Sequence, residues 1–234
     1  MDPAVDRDAL LLDLDDTLYD YAPAERAAKR ATFAAITRDI GLGDARLEVA
    51  WDHARKAVKA RLGQRGSAHS RLLYLTELVH ATGGAGTSRG LARVRSWERT
   101  YWGEFLRVAK LRPGALPLLD GWRARGGKVA IVTDLTLEIQ LWKLEVFGLF
   151  DRIDVLVVSE EVTLDKPAPE AMLLAIARLG VTPAQCVVVG DHPVKDGGGA
   201  RALGIPYYQA VSSEDARDGA STLEAIAEKL GLTR

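Results

Sequence analysis

The 234-residue chain has a single cysteine, almost no net charge and no apolar run of the length, about 20 residues, that spans a bilayer. One cysteine, Cys186, excludes an internal disulfide framework, and its valine neighbours (187–189) predict a buried core thiol. The 31 basic and 32 acidic residues give a formal net charge of −1, which provides no global field to attract nucleic acid or an anionic membrane. A basic start followed by an apolar stretch and a small-residue cleavage site is also missing. We therefore expect a cytoplasmic protein without nucleic-acid or membrane partners.

The pattern of apolar residues changes along the chain. The run Ala9–Leu12 predicts a buried strand, whereas residues 22–110 show helical spacing and no convincing strand. The predicted helices of this stretch are residues 24–40, one beginning after Asp44 as its N-cap, one beginning near Ser70, and residues 88–109, with a break at residues 83–86.

Beyond residue 112 predicted helices alternate with predicted strands. The strands are residues 128–133, 153–159, 186–189 and 205–208, and the helices are residues 116–125, 137–147, 169–179, 198–203 and 221–230. Such alternation predicts an α/β fold with a doubly wound parallel sheet. We expect residues 1–20 and 111–234 to form this core domain, interrupted by an α-helical domain at residues 21–110.

Polar residues that could take part in catalysis or bind a ligand follow the predicted strands. They are Asp13 and Asp15 after the first strand, Thr133 and Asp134 after the second, Lys166 in the loop after the third, and Asp191 with Asp196 after the fourth. Because parallel strands bring their carboxyl ends to one edge of the sheet, these distant segments can converge there.

This combination resembles the haloacid dehalogenase-like hydrolase superfamily. Its members carry Asp-x-Asp-x-Thr after the first strand, then Ser/Thr-Asn, a Lys, and Gly-Asp with a further Asp; here these read Asp13–Thr17, Thr133-Asp134, Lys166, and Gly190-Asp191 with Asp196. The motif order and a helical insertion after the first motif also match, so the resemblance covers nearly the whole chain. It implies a Mg²⁺-dependent phosphomonoesterase with a helical cap, acting on a small phosphorylated metabolite.

The resemblance also implies a role for each motif residue. Asp13 would attack phosphorus and form an aspartyl-phosphate, and Asp15 would protonate the departing oxygen and later deprotonate the attacking water. Thr133 would donate a hydrogen bond to a phosphoryl oxygen, and its neighbour Asp134 in the second motif is a further candidate for the substrate-binding site. Lys166 would hold Asp13 and neutralise developing charge.

The same resemblance implies that Mg²⁺ is held by Asp13, Asp191 and the backbone carbonyl of Asp15, with Asp196 binding directly or through water. A charge argument independently favours a cation, since these side chains and Asp134 would bring up to five negative charges together against one lysine. Two like charges 4 Å apart repel by about 4 kcal/mol at an effective dielectric constant near 20. A phosphate could not enter such a crevice without a divalent cation.

Asp134 departs from the family pattern, which usually has Asn at this position. A carboxylate facing the phosphoryl group would repel it unless turned away, protonated or paired with a cation. Our hypothesis is that Asp134 caps the helix that begins near Thr136.

The segment of the helical insertion from Gly63 to Arg71 is basic and contains glycines. Arg65, His69 or Arg71 could contact the leaving group or a second anionic group of the substrate, and a solvated loop with Ser70 capping the next helix is an equal alternative. Aromatic residues at positions 97, 101 and 102 lie on one helical stripe, which is typical of core packing.

Three other functions remain open. A phosphomutase would share Asp13 and Asp15 but return the phosphoryl group to the substrate. A haloacid dehalogenase fits less well, because carbon–halogen cleavage needs no proton donor at Asp15. A non-catalytic binding protein with the same fold is disfavoured by the complete set of motif residues. The sequence is compatible with a monomer or a homodimer.

Overall fold

The computed structural model describes residues 7–82, 86–216 and 219–232, which divide into two compact units. One unit contains the residues up to Asp20 together with those from Lys110 onward, and the other is Tyr21–Ala109. Among the described residues, no helix is both long and apolar enough to span a bilayer.

The second unit is helical. Its helices are α1 (Tyr21–Ile40), α2 (Asp44–Leu62), α3 (Arg71–Thr82), α4 (Gly86–Leu91) and α5 (Val94–Val108), with a one-turn 3₁₀ helix at Gly66–His69. The aromatic stripe of α5 (Trp97, Tyr101 and Trp102) is at most 1% exposed, which confirms the core packing predicted for it. Tyr101 stacks on Trp51 of α2 with ring centroids 5.7 Å apart.

Two details of this unit differ from the expectations. Residues 88–109 form two helices because the chain turns at Ala92 and Arg93, and Gly90 of α4 lies so close to α3 that a Cβ there would be 2.9 Å from the Val79 methyl groups. Asp44 is the first residue of α2 and its N-cap is Gly43. The break predicted at residues 83–86 lies largely outside the described residues.

The first unit is built on a six-stranded sheet. Its strands are β1 (Ala9–Leu12), β2 (Lys128–Thr133), β3 (Val155–Val158), β4 (Cys186–Gly190), β5 (Tyr207–Ala210) and β6 (Ala220–Ser221). All neighbours pair in parallel in the order β3-β2-β1-β4-β5-β6, which confirms the predicted fold class. Leu12 of β1 pairs with Ile131 and with Val189, so the carboxyl ends of the three central strands are adjacent.

The sheet is flanked by the helices α6 (Ala115–Ala124), α7 (Leu137–Phe147), α8 (Glu170–Leu179), α9 (Lys195–Ala202) and α10 (Leu223–Lys229). The apolar cluster between β1, β2, β4 and α8 includes Cys186, which is fully buried as predicted. Burial raises the pKa of the Cys186 thiol to about 11, so this side chain is an uncharged core residue at neutral pH.

Several boundaries in this unit were predicted wrongly. β3 is shorter than residues 153–159, β5 lies two residues further along, and the two-residue β6 is too short to leave a periodic pattern. The helical spacing of Leu137, Leu141, Leu144 and Phe147 predicts one apolar stripe on α7, but Leu137 and Leu141 are 37% and 40% exposed. The buried face of α7 instead carries the polar Gln140 and Lys143, both fully buried.

Candidate active site

Asp13 directly follows β1, in the centre of the sheet. Its amide donates to the Val189 carbonyl of β4 at 3.0 Å, so the neighbouring strand fixes the backbone where the side chain leaves it. The chain then turns at Asp16, whose φ of 59° lies in the left-handed region that aspartate tolerates. This turn brings the buried Thr17 hydroxyl to 2.7 Å from Oδ2 of Asp13.

Lys166 connects Asp13 to Asp196. Its ammonium nitrogen is 2.6 Å from an oxygen of each carboxylate and 3.2 Å from the Val132 carbonyl at the end of β2. Burial alone would lower the pKa of Lys166, but these two carboxylates raise it well above its ordinary value. The lysine is therefore a fixed positive charge beside Asp13.

Three carboxylates converge around this lysine. Oxygens of Asp13, Asp191 and Asp196 all lie within 4.8 Å of one another. Asp191 is positioned by its amide, which donates to the Thr17 hydroxyl at 2.9 Å, and Asp196 accepts the His192 amide at 3.0 Å. Asp196 lies inside α9 and not ahead of it, because the helix begins three residues before the predicted start.

The charges of this cluster suit a divalent cation. Burial raises the pKa of Asp13 well above its ordinary value, and burial together with repulsion from Asp196 raises the pKa of Asp191 to about 6. Several carboxylate oxygens held close together form the hard ligand set that Mg²⁺ prefers. The donor set therefore fits a hard divalent cation, which Asp13, Asp191 and Asp196 would hold.

Asp15 lies in a different environment. Its Oδ1 accepts hydrogen bonds from Lys143 at 2.6 Å and from the Tyr19 hydroxyl at 2.5 Å, and its Oδ2 is 3.5 Å from the Gln140 amide nitrogen. Burial would raise the pKa of Asp15, but Lys143 and these hydrogen bonds hold it below its ordinary value. The pKa values of Asp13 and Asp15, only two residues apart, are thus shifted in opposite directions by their surroundings.

Thr133 ends β2 with its side chain buried. Its hydroxyl accepts a hydrogen bond from Gln140 at 2.7 Å and lies 3.2 Å from the Asp134 carbonyl. Gln140 also donates to that carbonyl at 2.7 Å, so α7 fixes the loop of the second motif.

The capping hypothesis for Asp134 is wrong. Its Oδ1 accepts the Lys166 amide at 3.1 Å and its Oδ2 pairs with the Lys195 ammonium at 2.7 Å. The first amide of α7, that of Leu137, donates instead to Glu160 at 2.8 Å. Asp134 is therefore paired with the backbone of the Lys166 loop and with Lys195 of α9. The sequence alone does not place Lys195 beside it.

Arg65 and His69 belong to the helical unit. Arg65 is exposed and precedes the 3₁₀ helix that ends at the half-buried His69. The Ser70 hydroxyl accepts the Leu73 amide at 3.4 Å, as expected of a residue that caps α3. A role for Arg65 and His69 in substrate binding stays a prediction.

The model of the haloacid dehalogenase-like hydrolase family matches residues 7–204. The chain belongs to this family. It is 34% identical to ribulose-1,5-bisphosphate 5-phosphatase of Halopiger xanaduensis, covering 94% of this chain and 92% of the relative, and 30% identical to phosphoserine phosphatase of Thermus thermophilus, covering 84% and 85%. The fold is shared with the crystal structure of a 2-haloacid dehalogenase of Pseudomonas syringae (TM-score 0.75, 22% identity, 96% and 98% of the chains).

Sequence reasoning did not identify four residues that organise the site of this haloacid dehalogenase-like hydrolase. They are Tyr19, Gln140, Lys143 and Lys195. The one available signal was Gln140 and Lys143 at i and i+3 in a helix that directly follows the second motif, since two polar residues at this spacing share a face. The hydroxyl of Thr17, the last residue of the first motif, joins Asp13 to Asp191.

Gly190→Ala in this hydrolase should disrupt the carboxylate cluster. A Cβ at this position would lie 2.4 Å from Oδ2 of Asp196, which Lys166 and the His192 amide hold in place. Such overpacking costs about 1–3 kcal/mol. We expect a lower melting temperature and a weaker thermal shift on adding Mg²⁺.

Gly103→Ala is the matched control, because a Cβ there has no atom within 4 Å and alanine has a higher helix propensity than glycine at this exposed position of α5. This variant should melt at or above the wild-type temperature. A Gly190→Ala protein with wild-type melting and an unchanged Mg²⁺ shift would contradict the described packing.

Asp191→Asn should stabilise the metal-free hydrolase at neutral pH. The folded pKa of Asp191, about 6, is above its ordinary value of 3.8, so folding favours the protonated form. Its contribution to stability is therefore greatest below pH 3.8 and is lost as the pH rises through 6. Asparagine removes this loss, and it also removes a ligand.

The check is thermal denaturation at pH 5 and pH 7.5, with and without Mg²⁺. Wild-type protein should gain more from Mg²⁺ at pH 7.5, because binding requires deprotonated carboxylates. The asparagine variant should melt higher than wild type without metal at pH 7.5 and show no Mg²⁺ shift. A variant that melts lower and keeps the shift would contradict this account.

Proposed function

We propose that this hydrolase is a Mg²⁺-dependent phosphomonoesterase that acts on a small phosphorylated metabolite through an aspartyl-phosphate. One observation carries the proposal: Asp13 is bound by Lys166 on one oxygen and by Thr17 on the other, within a cluster of carboxylates that fits a divalent cation. A nucleophilic carboxylate beside a cation site matches the needs of phosphoryl transfer, in which negative charge must approach negative charge.

In the first step an oxygen of Asp13 bonds to phosphorus while the bond from phosphorus to the leaving oxygen breaks. Asp15, whose pKa Lys143 holds below its ordinary value, takes up a proton from solvent as the ester binds and gives it to that oxygen. In the second step water attacks phosphorus, Asp15 takes the proton of the water, and the bond between Asp13 and phosphorus breaks. Splitting one displacement into two lets a single carboxyl group serve first as acid and then as base.

The other residues stabilise charge. Lys166 counteracts the burial that raises the pKa of Asp13 and holds its carboxylate in place, and Thr133 donates to a phosphoryl oxygen, with Gln140 holding its hydroxyl. Mg²⁺ held by Asp13, Asp191 and Asp196, and by the Asp15 carbonyl, would neutralise phosphate oxygens. Asp134 serves this site through its bond to the Lys166 amide, and Lys195 balances its charge.

The relatives support phosphatase activity and leave the substrate open, because ribulose-1,5-bisphosphate 5-phosphatase and phosphoserine phosphatase act on different compounds. We propose that the helical unit is the substrate-selecting cap and that Arg65 and His69 contact the substrate there. The likeness to a haloacid dehalogenase is at 22% identity and concerns the fold. Asp15, a proton donor that carbon–halogen cleavage does not need, favours the phosphatase.

Asp13→Asn should abolish phosphatase activity, because the amide is not a nucleophile. We expect wild-type protein to hydrolyse para-nitrophenyl phosphate only with Mg²⁺, and the variant to lose at least about 10³-fold in kcat. Asp151→Asn, the same change at an exposed position of the same unit, should leave kcat unchanged.

Hydrolysis without Mg²⁺, or an active Asp13→Asn enzyme, would contradict the proposal. Phosphate release from a panel of sugar and acid phosphates, without a bisphosphorylated activator, separates the phosphatase from the phosphomutase. Dependence on that activator would favour the mutase.

Asp134→Asn and Asp134→Ala should differ in activity. Asparagine keeps an oxygen for the Lys166 amide and loses only the partly exposed ion pair with Lys195, which is worth less than about 1 kcal/mol. Alanine removes the acceptor as well, at a cost of about 1.5–3 kcal/mol. We expect kcat within about fivefold of wild type for asparagine and about tenfold or more below it for alanine, and equal kcat values would contradict the role of Asp134.

A further inference from the structure

The strongest feature that the proposed mechanism does not use is a lysine buried in the face of α7. Lys143 is fully buried, yet its ammonium nitrogen lies 2.6 Å from Oδ1 of Asp15. The Tyr19 hydroxyl donates to the same oxygen. Tyr19 is itself held by Phe147, with ring centroids 5.1 Å apart, and its ring lies 5.7 Å from the lysine nitrogen.

Stability does not account for this lysine. Transferring an ion pair out of water costs several kcal/mol per ion, and apolar residues of similar volume often stabilise a fold equally well or better. Lys143 shares the buried face of α7 with Leu144, and methionine is an apolar side chain of similar length. A buried charge in such a place is better explained by what it does to Asp15.

The bonds on Asp15 are distributed unequally. Oδ1 accepts the two short hydrogen bonds, from Lys143 and Tyr19. Among the described residues, Oδ2 has the Gln140 amide as its donor, at 3.5 Å. The same Gln140 nitrogen is much closer to the Thr133 hydroxyl, at 2.7 Å. Oδ1 of Asp15 is thus held by short hydrogen bonds to the protein, whereas Oδ2 is available to give or accept a proton.

We propose that Lys143 and Tyr19 are positioning residues, which tie Oδ1 of Asp15 and leave Oδ2 as the oxygen that transfers the proton. This proposal rests on the proposed phosphatase function. When the bond between phosphorus and the leaving oxygen breaks, the proton on Oδ2 passes to that oxygen; when water attacks phosphorus, Oδ2 takes the water's proton back. Gln140 joins this arrangement to Thr133, so one helix orients both the proton donor and the predicted phosphoryl-oxygen donor.

The test compares esters with different leaving groups. An alkyl phosphate releases a basic alkoxide that must be protonated, whereas 2,4-dinitrophenyl phosphate releases a stable phenolate that needs no proton. The value of kcat/KM covers the steps up to departure of the leaving group, and so reports the acid role of Asp15 alone.

Lys143→Met should lower kcat/KM for the alkyl phosphate by about 10- to 100-fold, within the range that general acid catalysis contributes. It should change kcat/KM for the dinitrophenyl ester by less than about threefold. Tyr19→Phe, which removes only the hydroxyl, should shift the two esters in the same direction by a smaller factor. In an Asp15→Asn background, Lys143→Met should cause no further loss on the alkyl ester.

Lys128→Met is the matched control. Its amino group donates to the Leu179 carbonyl, and it begins β2 at the end of the strand opposite Thr133. The variant should leave both esters unaffected. Circular dichroism and thermal denaturation check that each variant is folded, and Tyr19→Phe carries the test if Lys143→Met does not fold.

The outcomes distinguish a failure of the positioning proposal from a failure of the proposed phosphatase function. Equal losses on both esters, or a further loss in the Asp15→Asn background, would assign Lys143 a structural role only and overturn the positioning. A wild-type enzyme that hydrolyses neither ester with Mg²⁺ would overturn the proposed function and this inference with it. Selective loss on the alkyl ester supports both.

Discussion

The whole site depends on the charge of Lys166. Its ammonium group is shared by two buried carboxylates, those of Asp13 and Asp196, which would otherwise repel each other at the carboxyl ends of β1 and β4. This one lysine offsets part of that repulsion, while burial and the remaining repulsion from Asp196 and Asp191 raise the pKa of Asp13. The remaining negative charge is what makes the cluster a suitable place for a divalent ion.

A second lysine, Lys143, pairs with Asp15 and lowers its pKa against the effect of burial. Lys143 approaches from α7, whereas Lys166 approaches from the loop after β3, and each binds a different carboxylate of the same five-residue motif. The two aspartates of one motif therefore lie in differently charged surroundings, and we propose that Asp13 serves as the nucleophile and Asp15 as the proton carrier. The sheet supplies the positions of the two carboxylates, and the loop after β3 and helix α7 supply the lysines that pair with them.

Much of the core could be predicted because its strands are buried on both faces and are therefore continuously apolar. Asp13, Asp191 and Asp196 were found because each follows such a strand. The partners of Asp15 and Asp134 could not be found in this way, since Lys143 is 128 residues from Asp15 and Lys195 is 61 from Asp134. Which face of α7 is buried depends on tertiary packing. The exposure of Leu141 shows that the spacing of the leucines does not identify this face.

The central claim is that Asp13 becomes covalently bonded to phosphorus during turnover. The most direct test is to quench the enzyme in acid during hydrolysis of a phosphate ester with Mg²⁺, digest it, and locate the phosphoryl group by mass spectrometry. The account predicts a phosphorylated peptide that contains Asp13 and disappears once the substrate is exhausted. Phosphate release with no phosphorylated peptide, or with the phosphoryl group on another residue, would contradict it.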